Sequence, residues 1–396
     1  MTDSFDPMDM FQFMDEQCGT IKVGLDLGSS GTRVVFNYTK DKIFASHGYP
    51  FDDQGPVYMG EARLANRESV SLKYGFYILA NASDRFVDQC PMLQKLRQHD
   101  SEEFRQKLRT GILELLKTVR RWSLANMRKH WKIDRLSVGM PAQWGLEFQR
   151  VFLALIGEAF DWDRMTTYDK VSFTKEPDSL AHSLLNREEP YVRSSKPGQV
   201  WLVIEHGGHN LNGALFRVEK RHAGPPRFYR MEDAFGACGG SEHLLHNILA
   251  AFQTKCLDPP VGCQGPARPM SPFIAEQIRK QFTKSAVREN WGPQLYNLGE
   301  EQQFTFTVRL VEHGEVISCT FDQAEIDQAW NEAHKATFEL VENLLEKLSK
   351  STTDAVNGTI PEAVICIAGG STRSDPWRRK VSAMIREANL PMAVFI

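Results

Sequence analysis

The chain has little of what would place it in several large classes. It has no CxxC pair, and its seven cysteines over 396 residues are odd in number, which excludes a disulfide framework and points to a reducing compartment. Lys+Arg (47) and Asp+Glu (50) nearly balance, for a net charge of -3. A basic excess of the kind that marks nucleic-acid binders is absent. The longest apolar run, Val151 to Ile156, is far short of the ~20 residues a membrane span needs. The first twenty residues carry Asp3, Asp6, Asp9, Asp15 and Glu16 and no basic residue, so neither a secretory nor a mitochondrial leader fits. Neither the phosphate-loop run GxxxxGK[ST] nor the dinucleotide run GxGxxG occurs. A cytoplasmic protein that binds neither membrane nor nucleic acid is the expectation.

What is present is an ordinary globular composition, 42% hydrophobic and 24% charged, in a chain long enough for two or three domains. IKVGLDL and TRVVFNY read as strands about the turn GSSG, and VWLVIE and LNGALFRVE as strands about GGHN. RLSVGM is a strand ended by Pro141, and AVICIA a strand followed by GGS. Residues 101–132, 147–160, 241–255, 322–349 and 375–388 read as helices, the first carrying Phe104, Leu108, Leu115, Val119 and Trp122 near helical spacing. FTFTVRLVEHGEVISCTF reads as a hairpin about His313-Gly314. Residues 193–199 form a linker, and residues 257–272, with five prolines and two glycines, an exposed loop. Strands alternate with helices, so the class is α/β. Residues 1–20 read as a disordered acidic tail; the rival reading is a docking peptide on Phe5, Met8, Phe11 and Met14.

Three glycine turns follow strands: Asp26 to Gly31, Glu205 to Asn210, and Ala368 to Arg373. Glycine admits close approach and positive φ, and successive amides in such turns form an anion nest. In the first two turns an acid stands two residues before the first glycine. A carboxylate there repels a phosphate but can hold Mg²⁺ through water, and the ion then bridges to phosphate oxygens.

In order, VGLDLGSSGT, LSVGMPAQWG, KEPDSLAHSLL, WLVIEHGGHN, IAEQIRKQFT and AVICIAGGSTRSDP resemble the nucleotide-binding domain of the heat-shock protein 70 family, a branch of the actin, hexokinase and sugar-kinase superfamily. The resemblance spans residues 21–388 and implies a two-lobed actin-like (ribonuclease H-like) ATPase fold. Lobe I would cover 21–192, lobe II 193–355, and a return segment with the third nucleotide loop 356–396. It implies ATP or ADP with Mg²⁺ as ligands. Lys73, Glu176, Asp26 and Glu205 would be catalytic, with Asp26 and Glu205 on the metal side. Gly28, Ser29, Ser30, Gly207, Gly208, Gly239, Gly240, Gly369, Gly370, Ser371 and Arg373 would meet the nucleotide, together with Glu276, Arg279, Lys280 and Thr283 on one helix face. Pro141 would couple nucleotide state to lobe motion, and a protein partner or co-chaperone would follow. Taken alone, Lys73 reads as a surface lysine, Glu176 as a favourable first-turn acid, and Arg279 and Lys280 as a solvated face.

The chain departs from the family in the second turn. Glu205 stands for Asp, His209 for a third glycine, Asn210 for Thr and Asn212 for a metal-side Asp. One methylene moves a carboxylate by ~1 Å, and such a shift costs up to ~100-fold in rate. His209 tolerates positive φ poorly. The expectation is retained nucleotide binding with weak hydrolysis; the alternatives are an inert nucleotide-binding interaction module (a pseudo-ATPase), and a fragment of a longer chaperone-like protein, since the family's last elements of the first lobe and its peptide-binding domain do not follow NLPMAVFI. A sugar kinase of the same superfamily is a poorer third. Two further readings are open: Zn²⁺ on His206, His209, His243 and His246, and RNA contact by KTVRRWSLANMRKHWK, which an amphipathic helix face explains as well.

Overall fold

The computed structural model describes residues 19–29, 31–36, 40–62, 67–83, 87–88, 90–128, 131–185, 195–219, 227–258, 268–284, 291–292, 303–310, 314–353, 362–391 and 393–396. The expected tail with its Phe/Met positions, Ser30, residues 259–267 of the proline-rich loop and His313 lie outside the described residues.

The first half builds on alternation. In β1 (Thr20–Leu27), Ile21, Val23, Leu25 and Leu27 are buried while Thr20, Lys22 and Asp26 face out, the period-two pattern of a half-buried strand. β1 pairs antiparallel with β2 (Gly31–Phe36), which pairs with β3 (Lys40–Ala45). A two-residue pair follows, β4 (His47–Gly48) with β5 (Val70–Ser71). Three helices then cover the sheet: α1 (Leu72–Leu79), α2 (Pro91–Gln98) and α3 (Glu102–Ala125). α3 opens on Ser101, whose hydroxyl accepts the Phe104 N–H at 3.2 Å, with Glu102 and Glu103 in the first turn. It ends at Ala125, short of the expected Lys132, because the chain must turn back into β6 (Lys132–Met140), parallel to β1. After α4 (Leu146–Phe160) and α5 (Arg164–Lys170), β7 (Val171–Lys175) closes the order β3-β2-β1-β6-β7. Trp122, offered to RNA by the sequence, packs edge-on against Phe36 and Phe44 in this core.

α6 (Glu176–Leu185) follows β7 directly, and its Ala181 and Leu184 pack on Trp201 and Val203 of the second sheet. That sheet repeats the topology of the first. β8 (Val200–His206) pairs antiparallel with β9 (Asn210–Glu219), and β9 with β10 (Arg227–Arg230) and β11 (Phe235–Cys238). β8 also pairs parallel with β14 (Ala363–Ala368), and β14 with β15 (Ala393–Phe395). The order is β10-β9-β8-β14-β15. Covered on both faces, β8 reads as the unbroken apolar run Val200–Ile204, all fully buried. Between β11 and β14 come α7 (Ser241–Phe252) with a π turn to Leu257, α8 (Pro272–Phe282), the hairpin β12 (Phe304–Arg309) and β13 (Val316–Phe321), and α9 (Gln323–Thr353). α10 (Asp375–Glu387) connects β14 to β15. The residues NLPMAVFI thus contribute a further strand, parallel to β14.

Two like sheets, each with its own core, place the first and second glycine turns at equivalent points. Each lies between the first two strands of its sheet. The third turn follows β14, and its counterpart in the first sheet is Pro141, directly after β6.

Candidate functional site

The three turns meet. Ser371 Oγ donates to Gly207 O at 2.7 Å and accepts the Ser241 N–H at 3.1 Å. A Cβ added to Gly208 would stand 3.0 Å from Ser29 Oγ, so the first turn reaches the second across the cleft. Two glycines are obligatory here. Gly369 has φ 112° and Gly240 φ 141°, and a Cβ would come within 2.3 Å of His206 O and 2.4 Å of Gly207 O respectively. The second turn is not strained by its histidine. Positive φ among described non-glycine residues occurs only at Asn81, Asp161 and Asn389, so His209 keeps an ordinary backbone. Gly207 N–H donates to Asn210 O at 2.9 Å and closes the turn without a left-handed residue there. The expectation that His209 cripples this loop through its backbone is corrected on that ground.

A charged network spans the cleft beneath these turns. Lys73, 3% exposed near the start of α1, places Nζ 3.3 Å from Glu176 Oε1 and 3.3 Å from Asn210 Oδ1. Asn210 Nδ2 donates to Glu176 Oε2 at 3.4 Å. Asn212 donates to Glu176 Oε2 and, at 3.2 Å, to Glu205 Oε2, while its Oδ1 accepts the Ala142 N–H at 2.8 Å. Residues from both sheets, from α1 and from the start of α6 are tied into one set. Lys73 is therefore not a surface lysine, and Glu176 does more than favour a helix end.

The electrostatics follow from the count. Asp26, Glu176 and Glu205 feel one another and the Lys73 cation, with Arg33 acting on Asp26 as well. Burial, then the neighbouring carboxylates, push Glu205 well above the usual carboxylate range. Asp26 is raised by the same causes, with Glu176 the nearest repelling charge, although solvent still reaches it through the cleft. A surplus of carboxylate beside phosphate-loop amides suits a divalent cation, which offsets the repulsion. Among the described residues, however, the one group of three possible ligands lying within 4.8 Å of one another is Cys90, His209 and His243. The carboxylates stand wider apart, so they suit an ion held through its water shell.

Two parts of this site escaped the reading of the sequence. Asn212 stands in the sequence as a missing acid, yet it joins Glu176, Glu205 and the turn after β6. Lys175 caps that turn: its Nζ donates to Pro141 O at 3.3 Å, to Ala142 O at 3.0 Å and to Trp144 O. Its place just before Glu176, at a strand end, was the only available signal.

The expected adenosine face divides. Arg279 is held by Glu276 at 3.6 Å and Glu242 at 3.7 Å, with its side chain 19% exposed. Lys280 points to solvent and Thr283 caps the exposed end of α8 on Lys280 O. Opposite, Gly370 and Arg373 are exposed, with open space over Gly370. A cavity of about 50 Å³ lies between Ser71, Tyr74 and Cys90 on one side and Glu242, His243 and Arg279 on the other.

The four histidines do not converge. His206 turns toward His334 and Trp377, with ring centroids at 5.5 and 4.8 Å. His209 meets His243, Nδ1 to Nε2 at 3.2 Å, and packs edge-on against Tyr74 at 4.6 Å. The set expected for Zn²⁺ is thus broken by the direction of His206.

No family model matches the chain, and no curated protein matches it. Solved structures do. MreB5 of Spiroplasma citri bound to AMPPNP matches with a TM-score of 0.56 at 13% identity, over 96% of this chain and 92% of that one. The same protein bound to ADP gives 0.57 at 12% identity, over 95% and 91%. A MamK double helical filament gives 0.52 at 15% identity, over 96% and 94%. At such identities the likeness carries the fold and nothing finer: the chain has the α/β fold of the actin-like ATPases.

Proposed function

We propose that this chain binds an adenine nucleotide with Mg²⁺ between its two halves and hydrolyses ATP slowly, as a divergent relative of the heat-shock protein 70 nucleotide-binding domain. The observation that carries this reading is the convergence of three glycine turns on one charged network, Lys73–Glu176–Asn210–Asn212–Glu205. The neighbours of the same fold include proteins bound to AMPPNP and ADP. Main-chain amides of the turns would hold phosphate oxygens, and Arg279, fixed by two carboxylates, would lie along the base. Asp26 and Glu205 would orient the water shell of Mg²⁺, which supplies charge neutralisation at the phosphates when bound. Glu176, held by Asn210 and Asn212, would orient a water, and Lys73 would reach a phosphate oxygen. A protein partner or co-chaperone belongs to the same reading.

One observation favours an inert module instead. Lys73 and Glu176 neutralise each other in a nearly buried pair at 3.3 Å, their side chains 4% and 11% exposed, so each would have to release the other before acting. Calorimetric titration with ADP and Mg²⁺, beside steady-state phosphate release for the wild type and Lys73→Ala, separates the two. The expected result is binding by both, with slow release in the wild type that the substitution abolishes. Binding with equal, background release assigns the inert module, and absence of binding overturns both.

A further inference from the structure

Cys90, His209 and His243 are all buried, and their ligand atoms lie within 4.8 Å of one another. They come from three places. Cys90 precedes α2 and belongs to the first core; His209 is in the second glycine turn; His243 is on α7, which packs in the second core. Two nitrogens on one tetrahedral Zn²⁺, at Zn–N ~2.0–2.1 Å, stand about 3.3 Å apart. His209 Nδ1 and His243 Nε2 are already 3.2 Å apart. Cys90 is a free thiol in no disulfide; burial pushes that thiol up to about 12, only partly opposed by the first-turn amides of Leu93 and Met92, so the bound ion itself would have to draw out the thiolate. His209 is gripped by Tyr74 and Tyr77, which fixes its Nδ1 toward His243, and its Nε2, unpartnered among the described residues, is left to carry the ring proton. The cavity of about 50 Å³ beside them is lined by Cys90 and His243, room for a water in the fourth position.

We propose that Cys90, His209 and His243 form a Zn²⁺ site, completed by a water in the adjoining cavity, that pins the first half of the molecule to the second glycine turn. Borderline-soft Zn²⁺ suits one thiolate and two imidazoles, where Mg²⁺ does not. On binding, the Cys90 S–H proton goes to solvent and a sulfur–zinc bond forms, while the proton shared between the two rings moves to the other nitrogen of the imidazole that carries it, and two nitrogen–zinc bonds replace the hydrogen bond. The site is separate from the carboxylates assigned to Mg²⁺ and does not depend on nucleotide binding.

The test uses the full chain, stripped with a chelator and titrated with Zn²⁺ against a chromophoric competitor, and in parallel with Co²⁺. The expected result is one equivalent per chain, with the ligand-field bands of tetrahedral cobalt and a thiolate-to-cobalt charge-transfer band. Cys90→Ser should abolish that band, and Cys90→Ser and His243→Ala should each weaken Zn²⁺ by more than about 100-fold, beyond the range for outer-shell partners. His246→Ala, on the same cavity, should change it only a few-fold. A wild-type cobalt spectrum without the thiolate band overturns the proposal whatever the variants do, as does Zn²⁺ affinity that survives Cys90→Ser.

Discussion

Asn212 shows how one side chain can serve a cleft with too much negative charge. Its amide donates to two carboxylates while its oxygen receives the Ala142 amide at 2.8 Å. Removing it leaves the Ala142 N–H and Glu205 Oε2 without these partners and Glu176 Oε2 with only the longer bond from Asn210, a cost of about 1–3 kcal/mol. Asn212→Ala should lose that much stability in urea unfolding. Asn212→Asp should lose at least as much without Mg²⁺ and recover more than the wild type when Mg²⁺ is added, because it replaces two donors with a fourth carboxylate. His206 gives a pH test at the same scale. Fully buried, it is pushed down from 6.5 to about 3 by burial, so its neutral form contributes stability that is present above 6.5 and lost as pH falls toward 3. At pH 5 the loss is about 2 kcal/mol for this histidine. His206→Leu should shrink the stability difference between pH 7 and pH 5 by about that amount, and an unchanged difference would assign the acid loss elsewhere.

At the scale of elements, the turns come so close that backbone lies against backbone at Gly240 and Gly369, which makes these contacts sensitive to a single methyl group. Gly240, at the start of α7, has φ 141°, and a Cβ there would come within 2.4 Å of Gly207 O and 2.7 Å of Gly208 O. Gly240→Ala should cost about 1–3 kcal/mol from the strained conformation alone, plus displacement of the second turn. Thermal unfolding reads the first part, and a loss of ADP affinity larger than the loss of stability reads the second. Elements of this kind were legible in the sequence wherever the pattern was local. β1 and β2 about their turn, β8 and β9 about theirs, β14 with the GGS turn, and the long helices 102–125 and 323–353 all stand where periodicity puts them, with ends displaced by a few residues. α3 ends at Ala125 and not at the expected Lys132: KTVRRW and RKHWK look alike in charge and aromatics, while only the pairing of Thr20 with Lys132 takes the chain out of the helix.

For the whole molecule, the decisive quantity is the close approach of three carboxylates, Asp26, Glu176 and Glu205, which leaves Glu205 and Asp26 raised in spite of Lys73. Protonated Glu205 and Asp26 contribute stability below their ordinary carboxylate range, and that contribution is lost as pH rises through their elevated folded values. On the proposed function, a divalent cation bound with nucleotide would replace the protons. The increase in melting temperature produced by ADP with Mg²⁺ should therefore be larger at pH 8 than at pH 6; one ligand at 100 times its Kd stabilises by ~2.7 kcal/mol. A shift that is independent of pH would detach the ion from these carboxylates.

Reading residues in order was enough to set the alternation of strands and helices, the glycine turns behind three of the strands, and the family resemblance that singled out Lys73, Glu176 and Asp26. These depend on spacing over a few residues, where backbone geometry and burial of one face leave few choices. Folding alone decided that Lys73 is buried against partners 103 and 137 residues away, that Asn212 binds rather than merely lacks a charge, that His206 and His209 part company, and that Cys90 joins His209 and His243. Such meetings depend on how two sheets of equal topology face each other across a cleft, and contacts over that sequence distance leave no periodicity behind.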